Sequence, residues 1–527
     1  MYSILIAISL KLPELIRSLE KGLPHVPDAY FDPGRTCLYG TRQAALEEIH
    51  AWSRVAGGQS IYWLRAEAGV GKSTVSHTIA HQAAELNQLG ACFFLHRDYA
   101  KRRDPRLIIN TLAFHLARFH PDIATGVKAA LDKNPDLGSM DSIQIKFDRL
   151  ILDPVAAVKT LVEPILLVID DLDSLDTKDA DAHFRRQAFL DYISHNYRKF
   201  PPFLKVVITS RPEWDVIRAL EGIEPHILQH SSDDIARLAT TLLDKVAKEF
   251  ALQPPWPSSE ILNALVRRSE DLFVWIKVAC QFIAYREPQR RLELILDGNL
   301  PRGAGSQLDN LYREAILNHA EKEEDNDEEF YMIFRKIIGC IANLRNPLTP
   351  EAIDSLLGLS PDVSSRHTIK LFESFLVTAE EGGSVRPIHP SFIEFLTKEE
   401  RCNSRLLFIG SEHTQNLTKR CLELMLTSLK RNVCDLEDPH ARNSTNSKEN
   451  IPKGLLYACQ FWADHLQAAH FDDKIFRLVE DFFFTKILFW LEVLSLAGLV
   501  DDAIPALSAA CAWVKVCYAL LYGSHWN

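Results

Sequence analysis

Between Cys37 and about Leu220, short apolar runs alternate with stretches of helical spacing, which predicts a parallel sheet covered by helices. A glycine-bearing turn joins the first of these runs to a helix. After Pro225 the strand pattern fades and helical spacing takes over. The expected class is an α/β domain followed by helical, winged-helix and C-terminal helical domains.

Taken in order, the run Tyr2 to Leu10 is too short to span a bilayer and has neither a basic flank nor a small-residue cleavage site. It reads as part of an amphipathic helix through Leu19. Leu23-Pro24-His25-Val26-Pro27 opposes a helix and closes a lead-in over 1–36. An α/β domain over 37–225 holds strands at Ile61 to Leu64, Ala91 to Leu95, Ile165 to Ile169 and Lys205 to Thr209. A helical domain over 226–304 contains helices at Ile235 to Phe250 and Ile261 to Ala284, separated by Gln253-Pro254-Pro255-Trp256-Pro257. The acidic run Glu321 to Glu329 reads as a solvated helix face or loop.

In the next domain, 305–400, Phe330 to Leu344 is helical and Asn346-Pro347-Leu348-Thr349-Pro350 opens another helix. Ser374 to Ile388 alternates around Gly382-Gly383 like a hairpin, and helices with a hairpin suggest a winged helix. Within a C-terminal domain over 401–527, a polar gap from Asp435 to Asn450 leads to helices whose core includes Trp462, Phe482, Phe483, Trp490 and Leu494.

A chain of 527 residues holds several domains, and 47% hydrophobic with 24% charged residues is ordinary for a soluble globular protein. The net charge of −11 argues against a primary nucleic-acid role, which needs a concentrated basic surface. Lys101-Arg102-Arg103, beside Asp98 and Asp104, reads as a solvated turn. Ten cysteines without a CxxC pair or a secretory signal point to a reduced, cytoplasmic chain in which Cys340 and Cys459 are small core residues. No stable membrane span is expected, and no repeat of the propeller or solenoid kind is visible.

The chemistry concentrates in three segments. Ile61-Tyr62-Trp63-Leu64-Arg65-Ala66-Glu67-Ala68-Gly69-Val70-Gly71-Lys72-Ser73-Thr74 reads as a buried strand, a phosphate-binding loop and a helix start. Gly69 and Gly71 let the backbone turn N–H groups toward phosphates, Lys72 supplies a charge, and the Ser73 hydroxyl suits Mg²⁺. Ala66 stands where the pattern GxxxxGK[ST] begins with glycine, and alanine fits there with a negative φ. The residues from Ala66 through Thr74 are the expected nucleotide contacts.

Ile165 to Ile169 delivers Asp170, Asp171 and Asp173 to a strand's C-terminal edge, where open α/β sheets bind ligands. Asp170 is the expected Mg²⁺ partner of Ser73, and Asp173 could position or activate a water. Val206-Val207-Ile208-Thr209-Ser210-Arg211-Pro212 brings Arg211 to the same kind of edge. There it either senses the terminal phosphate or pairs with Glu213 or Asp215. ATP is the preferred nucleotide and GTP stays open: the base-reading NKxD signal is missing, its nearest approach being Thr177-Lys178-Asp179-Ala180.

Cys37-Leu38-Tyr39-Gly40-Thr41-Arg42, the loop, the acidic strand and Val206 to Glu213, in this order, resemble a NACHT domain of the STAND class of signal-transduction P-loop NTPases. The variety is the one common in fungal NOD-like receptors. The likeness continues in Leu272-Phe273-Val274-Trp275, Val385 to Phe392 and Tyr457 to Trp462, so it covers nearly the whole chain. It implies that Leu38, Tyr39, Gly40 and Arg42 cup the base, and that His389 touches the diphosphate and latches a closed state. A structural turn at Gly40 and a core histidine at His389 are the alternatives. It also implies a switch between an ADP-held closed monomer and an ATP-bound open form that oligomerises.

Ser174 stands where many NACHT domains carry an acidic residue, which favours slow hydrolysis or a bare switch. The chain reads as lacking an N-terminal effector domain and the WD-type propeller that often follows. Two rival readings are a nucleotide-free pseudo-NTPase scaffold and a housekeeping ATPase.

Overall fold

The computed structural model describes residues 2–55, 58–158, 163–177, 180–285, 287–297, 307–320, 327–378, 383–402, 404–434 and 450–522. These fall into two compact units, Met1–Asp297 and Gly298–Asn527.

The first unit is built on five strands: β1 (Ile61–Arg65), β2 (Leu89–Phe94), β3 (Ile165–Asp170), β4 (Leu204–Ser210) and β5 (Pro225–Ile227). Their order is β2-β3-β4-β1-β5, and all four pairings are parallel. The sheet follows from period-2 alternation inside continuous apolar runs. Ile61, Trp63, Phe93, Ile165, Leu167 and Ile208 join one core cluster. Their sequence neighbours Tyr62, Leu64, Phe94, Leu166, Val168 and Val207 join the other.

Helices cover both faces. On the first face lie α1 (Tyr2–Gly22), α4 (Pro105–Phe119), α5 (Pro121–Lys133) and α6 (Ala180–Asn196); on the second lie α2 (Gln43–Arg54) and α3 (Lys72–Glu85). Helix α4 starts where Asp104 caps the Arg106 N–H and Pro105 occupies the first turn. α1 carries the lead-in onto the core: it packs against α4 and α5, and Leu19, Leu23, Val26 and Ala29 are buried.

Three features differ from the expected pattern. Strand β2 begins at Leu89 rather than Ala91, with an irregular register between the two. Gly90 allows this, because a Cβ there would lie 2.1 Å from Ile165 Cγ2. β5, with a proline at its head, adds an edge strand that the sequence pattern did not signal. After α7 (Ser232–Glu249), the single helix expected over Ile261 to Ala284 is two, α8 (Ser259–Arg268) and α9 (Phe273–Ala284). Glu270 and Asp271 between them take left-handed φ values of 47° and 61°, which end one helix and re-aim the next.

In the second unit, α10 (Gln307–Ala320) and α11 (Asp327–Asn343) precede α12 (Pro350–Leu357), which Thr349 caps by accepting the Ala352 N–H. Then come α13 (Ser365–Leu371), an antiparallel pair of β6 (Leu376–Thr378) and β7 (Val385–Pro387), and α14 (Pro390–Thr397). Gly382, most of the acidic run, the polar gap except Asn450, and Lys178-Asp179 lie outside the described residues.

The C-terminal helices are α15 (Ser411–Ser428), α16 (Lys453–Ala468), α17 (Asp473–Thr485), α18 (Ile487–Ala497) and α19 (Ala503–Tyr522). Trp462, Phe482, Trp490 and Leu494 are buried there, and Trp490 Nε1 donates to Cys459 O at 2.8 Å. Among the described residues no helix is long and apolar enough to cross a membrane.

Because Leu19 is buried in the α1 contact with the sheet-covering helices, Leu19→Ala is expected to cost about 2–5 kcal/mol, the usual range for a truncated core leucine. Denaturant unfolding followed on the first transition checks it; an unchanged midpoint would detach α1 from the core.

Candidate functional site

At the end of β1 the chain turns through Ala66–Gly71 into α3. Gly69 and Gly71 make the turn with φ of 81° and 104°, values that side chains with a Cβ rarely adopt. Ala66 needs no such freedom: its φ is not positive, and its N–H donates to Ser210 O at 3.3 Å as a continuation of strand pairing. Gly69 is constrained a second time, because a Cβ there would lie 2.4 Å from Val274 Cγ1. The Val274 N–H, near the start of α9, donates to Gly69 O at 3.2 Å.

Arg42 closes the loop from the other side. Its guanidinium donates to Val70 O at 2.6 Å and to Gln229 O, and lies 4.5 Å from the Phe273 ring centroid. Its backbone N–H donates to Asp234 Oδ2 at 3.0 Å, fixing the left-handed residue ahead of α2. Lys72, only 6% exposed, donates through Nζ to Ala66 O at 2.8 Å and Glu67 O at 2.9 Å. Burial lowers its pKa, and the nearby Asp173 and Asp171 oppose that shift. The carbonyls of Ala66, Glu67, Gly69 and Val70 thus all accept bonds that shape the loop, while α3 starts at Gly71 with no side-chain cap. Ser73 and Thr74 are half-buried in its first turn.

The ends of β3 and β4 supply the acidic half. Thr209, on the strand between β3 and β1, donates to Asp170 Oδ1 at 2.6 Å and accepts the Asp171 N–H at 2.9 Å. Burial, with Asp173 and Asp170 close by, pushes the Asp171 carboxyl up to about 6. The Asp173 side chain is 0% exposed. It accepts the Arg211 backbone N–H at 2.7 Å, receives Arg97 Nη2 at 2.9 Å and pairs with Arg211 Nε at 3.4 Å. Arg211 therefore pairs with Asp173, where the sequence suggested Glu213 or Asp215 as ion-pair partners. Those two instead flank Arg186, whose Nε donates to Asp215 Oδ2 at 2.8 Å. Ser174 donates to Asp171 and accepts Arg97 Nε at 3.1 Å.

Most of the expected residues thus share one sheet edge. Tyr39 is 94% exposed and Gly40 takes a φ of 80° ahead of α2. His389 belongs to the second unit, where it caps α14: its Nδ1 accepts the Ser391 N–H at 3.2 Å and lies 2.7 Å from Ser391 Oγ. Sequence reasoning gave no role at the site to Arg97 or Arg186, nor to Thr209, Phe273 and Val274, which it met only within motifs. The edge argument that found Asp170 and Arg211 applied equally to β2, which delivers His96-Arg97-Asp98.

Parallel sheet, glycine loop and acidic strand end define an α/β fold of the P-loop NTPase class. The family described as Nephrocystin 3, N-terminal, matches residues 40–211. Vegetative incompatibility protein HET-E-1 of Podospora anserina is 22% identical over 490 residues, covering 85% of this chain and 34% of the relative. The chain therefore spans about a third of that relative's length. A solved STAND protein with a tetratricopeptide repeat sensor, from Pyrococcus horikoshii, is 15% identical over 94% of this chain and 64% of its own, at a TM-score of 0.37. The sequence matches support a NACHT-type STAND protein.

The segment ahead of α2 is tied to α3. His77 Nδ1 accepts the Asp32 N–H at 3.0 Å, Thr78 Oγ1 accepts the Cys37 N–H at 2.8 Å, and the His77 ring stacks 4.0 Å from Phe94. Burial pushes His77 from 6.5 down to about 3, so the fold accepts the neutral ring. Its contribution is present above the ordinary value and is lost as pH falls toward the depressed one. At about pH 5 the loss is about 2 kcal/mol. His77→Gln keeps an acceptor but does not titrate. Urea unfolding at about pH 7 and pH 5 is expected to show a smaller acid loss for this variant, and equal losses would remove His77 as the cause.

Proposed function

We propose that this chain is a nucleotide-dependent signalling switch. It binds ATP or ADP with Mg²⁺, couples the bound nucleotide to domain opening and oligomerisation, and hydrolyses triphosphate slowly. The observation that carries this reading is Lys72, a buried ammonium bonded to two neutral carbonyls at the first turn of a helix with no side-chain cap. Burying a cation costs several kcal/mol unless an anion compensates. Asp173 and Asp171 offset part of that cost, and a polyphosphate tail would add negative charge and take the helix amides. The loop also has room, since a Cβ at Gly71 would meet nothing within 4 Å.

Ser73 and Asp170 would hold Mg²⁺, with Thr209 fixing the Asp170 carboxylate. Among the described residues no group of three or more His, Cys, Asp or Glu side chains is placed to hold a metal ion. The ion would accordingly take most of its ligands from phosphate and water, neutralising phosphate charge. Glu67, Ala68, Gly69, Val70 and Thr74 complete the proposed phosphate contacts, and Tyr39, Gly40 and Arg42 those to the base. ATP is the expected nucleotide, with GTP the competitor to test.

Asp173 and Arg211 would face the terminal phosphate. Asp173 already accepts the Arg211 N–H and pairs with Arg97 and Arg211, so those groups compete with a water for its carboxylate, in keeping with slow hydrolysis. The resemblance extends the switch to a latch by His389. A cytoplasmic location is part of the proposal, supported by free cysteines such as Cys340 and Cys459.

Isothermal titration with ATP and ADP tests the reading. Lys72→Ala is expected to weaken both nucleotides by about tenfold or more, each tenfold being about 1.4 kcal/mol. Equal affinity in both proteins would remove Lys72 from the site.

A further inference from the structure

Arg186 stands on α6, whose Phe189, Leu190 and Ile193 are buried in the core on the first face of the sheet, and its own side chain is 2% exposed. From that anchored position its guanidinium reaches two segments. The first is the turn that leaves β3, where Nη1 donates to Asp173 O and to Leu175 O, each at 2.8 Å. The second is the segment that leaves β4, where Nε donates to Asp215 Oδ2 at 2.8 Å and Nη2 lies 3.6 Å from Glu213 Oε2.

One planar fork therefore clips the two strand ends together. A lysine ammonium, a point charge on a flexible stem, does not reproduce that geometry. The turn after β3 needs such a tie, because Asp171 at its head holds a left-handed φ of 63°, which is costly for a residue with a Cβ.

The clipped segments carry Asp173 and Arg211. The Arg211 backbone N–H donates to Asp173 Oδ1 at 2.7 Å, and both residues act electrostatically on the Lys72 ammonium of the phosphate loop. Arg186 thus stands behind the groups whose charges are felt at the loop.

We propose that Arg186 is a positioning residue: by fixing the turn after β3 against the segment after β4, it sets where Asp173 and Arg211 stand relative to the loop, and so governs discrimination between nucleoside triphosphate and diphosphate. This rests on the nucleotide-binding reading above, in which those two groups face the terminal phosphate. Loss of the clip leaves the Lys72 contacts in place and moves only the groups that meet the third phosphate.

Titration of Mg-ATP and Mg-ADP into wild type, Arg186→Lys, Arg211→Gln and the double variant tests this. Arg186→Lys is expected to weaken ATP by about fivefold or more while ADP stays within about twofold. If it acts through Arg211, adding it to Arg211→Gln changes ATP affinity by less than about twofold further, a non-additivity that a general loss of stability does not produce. Asp215→Ala, which frees the segment after β4 from Arg186 Nε, is expected to show the same selectivity and carries the test if Arg186→Lys does not fold. Equal weakening of both nucleotides, no change in either, or a full additional ATP loss in the Arg211→Gln background overturns the proposal. A wild type that binds neither nucleotide overturns the switch reading itself.

Discussion

Everything at the site depends on how the turn between β1 and α3 is held from outside. Gly69 accepts the Val274 N–H and leaves no room for a side chain between itself and Val274, while Arg42 binds the Val70 carbonyl and stacks on Phe273. Each neutral bond of this kind is worth about 1 kcal/mol net, and one from a charged donor somewhat more. Their larger effect is geometric. The loop cannot change shape without disturbing the start of α9, so a ligand in the loop and the position of that helix are linked. Such a ligand shifts the linked elements only as far as its affinity differs between their arrangements.

The strand order determines the rest of the site's chemistry. β4 lies between the strand that leads into the loop and the strand that ends in Asp170, so Thr209 can bond both Asp170 and the Asp171 backbone. With β2 on the far side of β3, Asp173 is reached from two directions by arginines. A buried carboxylate loses several kcal/mol of solvation, which paired guanidiniums offset. Removing either guanidinium is therefore expensive unless another cation takes its place beside Asp173.

Much of this arrangement was legible in the sequence, for physical reasons. Long apolar strands and a loop requiring two left-handed glycines leave few alternatives, so β1, β3, β4 and the loop stood out by local pattern alone. β5 did not, because three residues headed by a proline carry no usable periodicity. The break between α8 and α9 contains neither glycine nor proline. It is stabilised at long range, where Ser232 donates to Asp271 Oδ1 at 2.6 Å from 39 residues away. Arg97 follows a strand end as Arg211 does, but only its partner Asp173, 76 residues further on, distinguishes it from a solvated arginine.

The most direct measurement of the central claim is the nucleotide released when the purified protein is denatured, together with its melting temperature with and without added Mg-ATP. The account predicts a bound adenine nucleotide and a melting temperature raised by several degrees, because a ligand at about a thousand times its Kd adds roughly 4 kcal/mol to the state that binds it. No purine nucleotide in the extract and a melting curve unmoved by Mg-ATP would contradict it.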